Sequence, residues 1–103
     1  CPNWVHSLDG VGGLLGVTVN AAHDLGVRSI KTVHDSLSVH ATRMSAMHAC
    51  VRAATVGIFG DNQLERLAEQ LDLLLPPGVS LPSVPNLGTL NITDVMDSKY
   101  YFN

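Results

Sequence analysis

Arg28-Ser-Ile-Lys-Thr-Val-His-Asp-Ser-Leu-Ser-Val-His-Ala41 is the stretch on which the reading of this chain turns. Ser29 to His34 is rich in β-branched residues and Gly26 breaks whatever precedes it, which predicts a short strand. Val39 and His40 form a short return strand, so Asp35 and Ser36 fall at the tip of a hairpin-like turn. A carboxylate there is rigid on one side and open on the other, which suits holding a metal ion or taking part in proton transfer. The same position also suits a plainer role, an Asp that initiates a turn by bonding its own backbone. His34 precedes Asp35 and on a regular pleat points to the opposite side.

Working outward, the segment up to Gly10 contains Pro2, Asn3, Asp9 and Gly10 and reads as an extended loop anchored by Trp4 and Val5. A helix is expected from Gly13 to about Leu25, with Leu14, Val17, Ala21 and Leu25 on one face and Asp24-Leu-Gly26 as its stop. Asp9 reads as a cap for that helix. Downstream, Thr42 reads as the N-cap of a helix running to about Phe59, with Met44, Met47, Val51, Ala54 and Ile58 facing the core. Gly60 ends it, and Asp61 reads as the cap of a further helix in which Leu64, Leu67, Leu71 and Leu74 share a face. Pro76-Pro77-Gly78 stops that helix. The Pro- and Ser-rich stretch to Gly88 reads as an ordered surface loop pinned by Leu81 and Val84. Thr93 caps a last short turn through Ser98, ahead of Tyr100, Tyr101 and Phe102. The fold class is therefore α+β, mainly helical with one small sheet, in a single unit over 1–103.

A chain of 103 residues can build one small core. Charged residues make up 15% of it, against about 25% in a typical globular chain. The surface is thus short of charge, which implies that another polypeptide covers part of it. The net charge of −3 argues against an independent nucleic-acid binder, which would carry a basic patch. Cys1 and Cys50 have no metal-ligand spacing, and Cys50 reads as a small buried helix residue. No apolar run approaches the roughly 18 residues of a membrane span, and no leader pattern opens the chain, so a soluble, non-secreted protein is expected. Without an initiator Met, the chain reads as cut from a precursor, encoded by a split gene, or trimmed.

Three signatures in order carry a family resemblance. Pro2-Asn-Trp-Val-His-Ser-Leu-Asp-Gly10, then Val33-His-Asp-Ser36 with His40-Ala41, then the aromatic ending Leu90-Asn-Ile-Thr-Asp-Val-Met-Asp-Ser-Lys-Tyr-Tyr-Phe-Asn103 resemble the end of the palm of single-subunit, bacteriophage-type RNA polymerases, a family that includes mitochondrial enzymes. The resemblance implies a fragment of a right-hand polymerase palm whose hairpin carries a catalytic Asp. It implies that Asp35 is the second of two metal-binding aspartates that hold Mg2+ for nucleotidyl transfer. The first aspartate and the nucleotide-binding helix have no counterpart in this chain. By the same resemblance His6 reaches the minor groove of the RNA–template pair, where otherwise it is a satisfied loop histidine, and Asp9 lies near the site; His34 either helps place the primer end or packs and hydrogen-bonds. The implied partners are the rest of the polymerase, DNA template, nascent RNA and nucleoside triphosphates, with no membrane. The implied setting is the cytoplasm of an infected bacterium, or alternatively a mitochondrion.

The chain departs from the family pattern at Val11-Gly-Gly-Leu14, where a second His is usual, and at Leu37 and Ser38. Other readings stay open beside it. A family A DNA polymerase also has a His-Asp motif, but usually with an acid where this chain has Ser36. A hydrolase using His34, Asp35, Ser36 and His40 is disfavoured, since neighbouring strand residues face apart. A noncatalytic interaction piece derived from a polymerase is the third.

Overall fold

A computed structural model describes residues 2–101. Four helices, one hairpin and two short 3-10 turns are present among the described residues: α1 (Pro2–Asp9), α2 (Leu14–Asp24), β1 (Ile30–Val33), β2 (Ser36–Val39), a turn at Ala41–Arg43, α3 (Met44–Phe59), α4 (Gln63–Asp72) and a turn at Ile92–Asp97.

The opening segment is a helix, not the extended loop expected. Pro2 sits in its first turn, where a missing N–H costs nothing, and the Asp9-Gly10 pair lies at its end. The turn-forming residues bracket the helix instead of breaking it. Ser7 Oγ donates to the Trp4 carbonyl at 2.6 Å, and the Gly10 N–H reaches the His6 carbonyl at 2.9 Å.

α1 folds directly back onto the start of α2. A Cβ on Gly13 would lie 1.9 Å from the Leu8 carbonyl oxygen, so the glycine that weakens the helix start is what lets the two helices meet. Gly13 is the N-cap of α2, and no side chain caps it; Asp9 closes α1 and does not serve as that cap. The buried face of α2 is Thr18 and Ala22, while Val17 and Leu25 are exposed. This rotates the expected face by about one residue.

α2 ends in a two-bond cap. The Val27 N–H bonds the Ala22 carbonyl and the Gly26 N–H bonds the His23 carbonyl, both at 2.9 Å, with Gly26 at φ +80°. Val27 and Ala22 close the motif as an apolar pair in the core. That core comprises Ala22, Val27, Met47, Cys50 and Val51, flanked by Ile30, Leu37 and Val39 of the hairpin and by Tyr101.

α3 begins after the Ala41–Arg43 turn, so Thr42 is not its N-cap; the Thr42 hydroxyl instead lies 3.0 Å from His40 Nδ1. Met47, Val51 and Ala54 are buried as expected, joined by Cys50 and Thr55, whereas Met44 is exposed. Asn62, not Asp61, caps α4 by accepting the Glu65 N–H at 3.2 Å. Asn91, not Thr93, caps the final turn. Leu81 and Val84, with Pro82 and Pro85, face Leu64, Leu67 and Leu71 of α4 across a shallow groove of about 210 Å³. Tyr101 comes back onto α3, its hydroxyl 2.9 Å from Thr55 Oγ1, and Arg52 donates to the Ser98 carbonyl. Phe102 lies outside the described residues.

Candidate functional site

β1 and β2 pair antiparallel in the register Ile30–Val39, Lys31–Ser38, Thr32–Leu37 and Val33–Ser36. That register leaves His34 and Asp35 as a two-residue loop, so the expected tip is shifted by one residue toward His34. His34 therefore lies outside the pleat, and the expectation that the strand turns it away from Asp35 does not apply. It has φ +53°, and among the described residues it is the non-glycine with positive φ. Leu37 and Val39 alternate with exposed Ser36 and Ser38 and pack on the core, which fixes the hairpin on α2 and α3 and so aims its tip.

Asp35 stands between two cavities. An outer cleft of about 180 Å³ runs from Asp35, Ser36 and Leu37 to Met44, Met47 and His48 on α3. A second, smaller pocket of about 40 Å³ is lined by Asp35, Asp9 and Thr18 together with Leu14, Leu15, Leu37 and Val51. The fold thus brings Asp9, at the end of α1, beside Asp35 at the hairpin tip. His6 stands one turn before Asp9 on the same side of α1, is exposed, and lines neither cavity. His40 is engaged with Thr42, and no hydrogen bond joins His34, Asp35, Ser36 and His40 among the described residues, so no hydrolytic triad is assembled there. His48 escaped the sequence reading. Its signal was its place one residue after Met47, at the edge of the apolar face of α3.

Electrostatically the tip is bare. Among the described residues the ion pair present is Arg66–Asp61 on the surface, at 3.9 Å, and no cation lies within ion-pair distance of Asp35. The Asp35 and Ser36 oxygens on an open cleft are the hard donors that Mg2+ prefers. Among the described residues no group of three or more metal-ligating side chains forms. Cys50 plays no part: burial pushes its thiol above the ordinary value and it packs in the core.

The family model for DNA-dependent RNA polymerase matches residues 1–77. The chain is 34% identical over 102 residues to DNA-directed RNA polymerase 3B, chloroplastic, of Nicotiana tabacum, covering 99% of this chain and 10% of that protein. It is 33% identical, again over 102 residues, 99% of this chain and 10% of the relative, to the mitochondrial DNA-directed RNA polymerase 1 of Arabidopsis thaliana. It is 33% identical over 102 residues, 99% of this chain and 63% of the relative, to DNA-directed RNA polymerase 1A of Nicotiana tabacum. No solved structure matches. The chain thus spans about a tenth of the length of the first two relatives. Two of these plant proteins are named chloroplastic or mitochondrial, which overturns the expectation of an infected bacterial host and agrees with the mitochondrial alternative. All three are RNA polymerases, the side of the His-Asp comparison on which Ser36 had placed the chain. With a family model over residues 1–77 and relatives aligned along nearly its whole length, this chain belongs to the bacteriophage-type DNA-dependent RNA polymerase family.

Proposed function

We propose that this chain is the palm segment that supplies Asp35, one of two metal-binding carboxylates, to a DNA-directed RNA polymerase of an organelle. The observation that carries the reading is the setting of Asp35: an unpaired carboxylate on a two-residue hairpin tip, braced by core packing and opening on a cleft. A magnesium pair bound there would activate the attacking 3′ hydroxyl of the RNA and steady the incoming triphosphate. The chain's own task is to hold the Asp35 carboxylate at a fixed height and angle, which the Leu37 and Val39 anchors accomplish. Ser36 and His48 line the same cleft and bound the space left for ligand and water. His34 at the tip and His6 on the exposed side of α1 are in reach of nucleic acid lying across that face. The other aspartate, the nucleotide-binding helix and the basic groove belong to the remainder of the polypeptide. DNA template, nascent RNA and nucleoside triphosphates are the partners.

Asp35→Asn tests this, because it keeps the shape and removes the charge. Magnesium contributes several kcal/mol of transition-state stabilisation, so nucleotide addition on a preformed RNA–DNA scaffold should fall on the order of a thousandfold in the complete polymerase. Scaffold binding and circular dichroism should not change. Asp72→Asn, at the exposed end of α4 away from the hairpin, is the comparator. If Asp35→Asn extends RNA at the parent rate, Asp35 is a turn residue and the reading fails.

A further inference from the structure

The leucines of α4 share one face, yet α4 buries none of its residues. Leu64, Leu67 and Leu71 recur at spacings of three and four, the pattern of a helix that lies on something apolar. What they meet is the shallow groove shared with the 81–85 loop, beside which Leu64 and Leu71 stay exposed. Just past the helix, Leu73 and Leu74 add further bare apolar surface. At about 210 Å³ the groove is smaller than the roughly 300 Å³ at which pockets for free small molecules begin. It suits the side chains of another protein.

Charge is spread as unevenly as apolar surface. The stretch 61–72 holds Asp61, Glu65, Glu69 and Asp72 against Arg66, four acids to one base, which equals the net charge of −3 on the whole chain. The remaining residues therefore balance, five acids to five bases. Arg66 relieves little, since its pair with Asp61 is 3.9 Å long and both side chains are exposed. On α4 itself Glu65 and Glu69 stand one turn apart and, at about 100° per residue, run along the Ala68 edge of the apolar face. Glu69 and Asp72 also occupy the last turn, where the helix dipole disfavours negative charge, and no basic residue offsets them there. The edge of the groove and the end of the helix thus ask for the same thing, positive charge from outside.

We propose that the groove between α4 and the 81–85 loop docks an amphipathic helix of a separate protein, whose apolar side chains enter the groove while its Lys and Arg residues lie along Glu65 and Glu69. Nucleic acid and anionic lipid are repelled by this face. A second copy presenting α4 would set acid against acid. Charged rims steer partners that meet by diffusion, whereas permanent interfaces are more apolar, so a partner that comes and goes fits this edge better than a fixed cover from the same polypeptide. The inference goes beyond the catalytic reading and does not depend on Asp35.

The test uses the complete polymerase carrying this segment and a fluorescein-labelled synthetic amphipathic helix of Leu and Lys, with the same peptide in Leu and Glu beside it. Anisotropy should show saturable binding of the Leu/Lys peptide and none of the Leu/Glu peptide. Glu65→Gln combined with Glu69→Gln should weaken binding about tenfold and flatten its dependence on salt. Leu64→Ala combined with Leu71→Ala should weaken it by a similar factor through lost apolar contact. Because α4 buries none of its residues, these variants should keep the parent's circular dichroism. Asp94→Asn, off α4 in the final turn, should bind as the parent does. Absence of binding, equal binding by the two α4 double variants, or equal binding of the Leu/Glu peptide overturns the proposal. So does dimerisation of the polymerase that sedimentation shows to be lost with Leu64→Ala and Leu71→Ala, which would assign the groove to a second copy. A structure of the complete polymerase in which its own polypeptide covers Leu64 and Leu71 overturns it as well.

Discussion

His34 holds a left-handed backbone that an L-residue adopts at a cost of about 1–2 kcal/mol, at a loop position where hairpins favour glycine. A strained non-glycine residue beside a candidate catalytic carboxylate points to a side chain that is needed there. His34→Gly should therefore raise the stability of the polymerase by about 1 kcal/mol in urea unfolding, while lowering nucleotide addition on a scaffold. Stability gained with no loss of activity would reduce His34 to a spacer in the turn. The hairpin that carries Asp35 was legible in the sequence because a His-Asp-Ser run follows a β-branched stretch. The strain on His34 was not, because it arises only once Val33 pairs with Ser36 and two residues must close the loop. His48 was equally hidden, since a histidine beside a cleft is defined by what folds against it.

Among the elements, α3 was the most legible and α1 the least. Met47, Val51 and Ala54 repeat at helical spacing and are buried, whereas the residues that suggested a loop before Gly10 turned out to mark the two ends of a helix. The caps at Thr42, Asp61 and Thr93 were each displaced by one or two residues or replaced by a neighbouring Asn, because several residues in each stretch can serve and packing selects among them. The stop after α2 was read correctly from Asp24-Leu-Gly26. Its geometry makes a firm prediction: Gly26→Ala has open space for its methyl group but must still adopt φ +80°, so it should lose about 1–2 kcal/mol in denaturant titration with no change in the cleft. Cys50 on α3 supplies a pH test. Its thiol is raised by burial, so the unfolded chain loses the proton first. The contribution to stability is complete below the unfolded thiol's pKa and is lost as pH rises through the folded value. Thiol-reactive probes should accordingly label Cys50 slowly in the native protein and promptly in denaturant.

At the scale of the molecule, the chain measures 57 × 27 × 21 Å with a radius of gyration of 16.5 Å, where a compact domain of this length has about 13 Å. It exposes 7702 Å² against about 5,600 Å² for a compact monomer of its mass. Leu73 and Leu74 beyond α4 are 86% and 80% exposed, and Tyr100 is 81% exposed. The charge shortage seen in the composition thus has a physical counterpart in about 2,000 Å² of surplus surface with large apolar residues on it. Among the described residues no helix is long and apolar enough to cross a membrane. The isolated chain should self-associate in light scattering and add no nucleotides to a scaffold. A well-behaved monomer that extends RNA would contradict both expectations.

The link between Tyr101 and Thr55 sets an order of assembly. α2, the hairpin and α3 are consecutive in the chain and can meet through short loops, whereas Tyr101 comes 46 residues after its partner on α3. Closing so long a loop carries a larger entropic cost and comes late in folding. During synthesis on the ribosome, the Asp35 hairpin can therefore be in place while the groove on α3 is still open, and the ring of Tyr101 is the last piece to seal the core. Interrupted translation before that point would release a chain with its hairpin formed and its core unclosed, a form that proteases can distinguish from the finished fold.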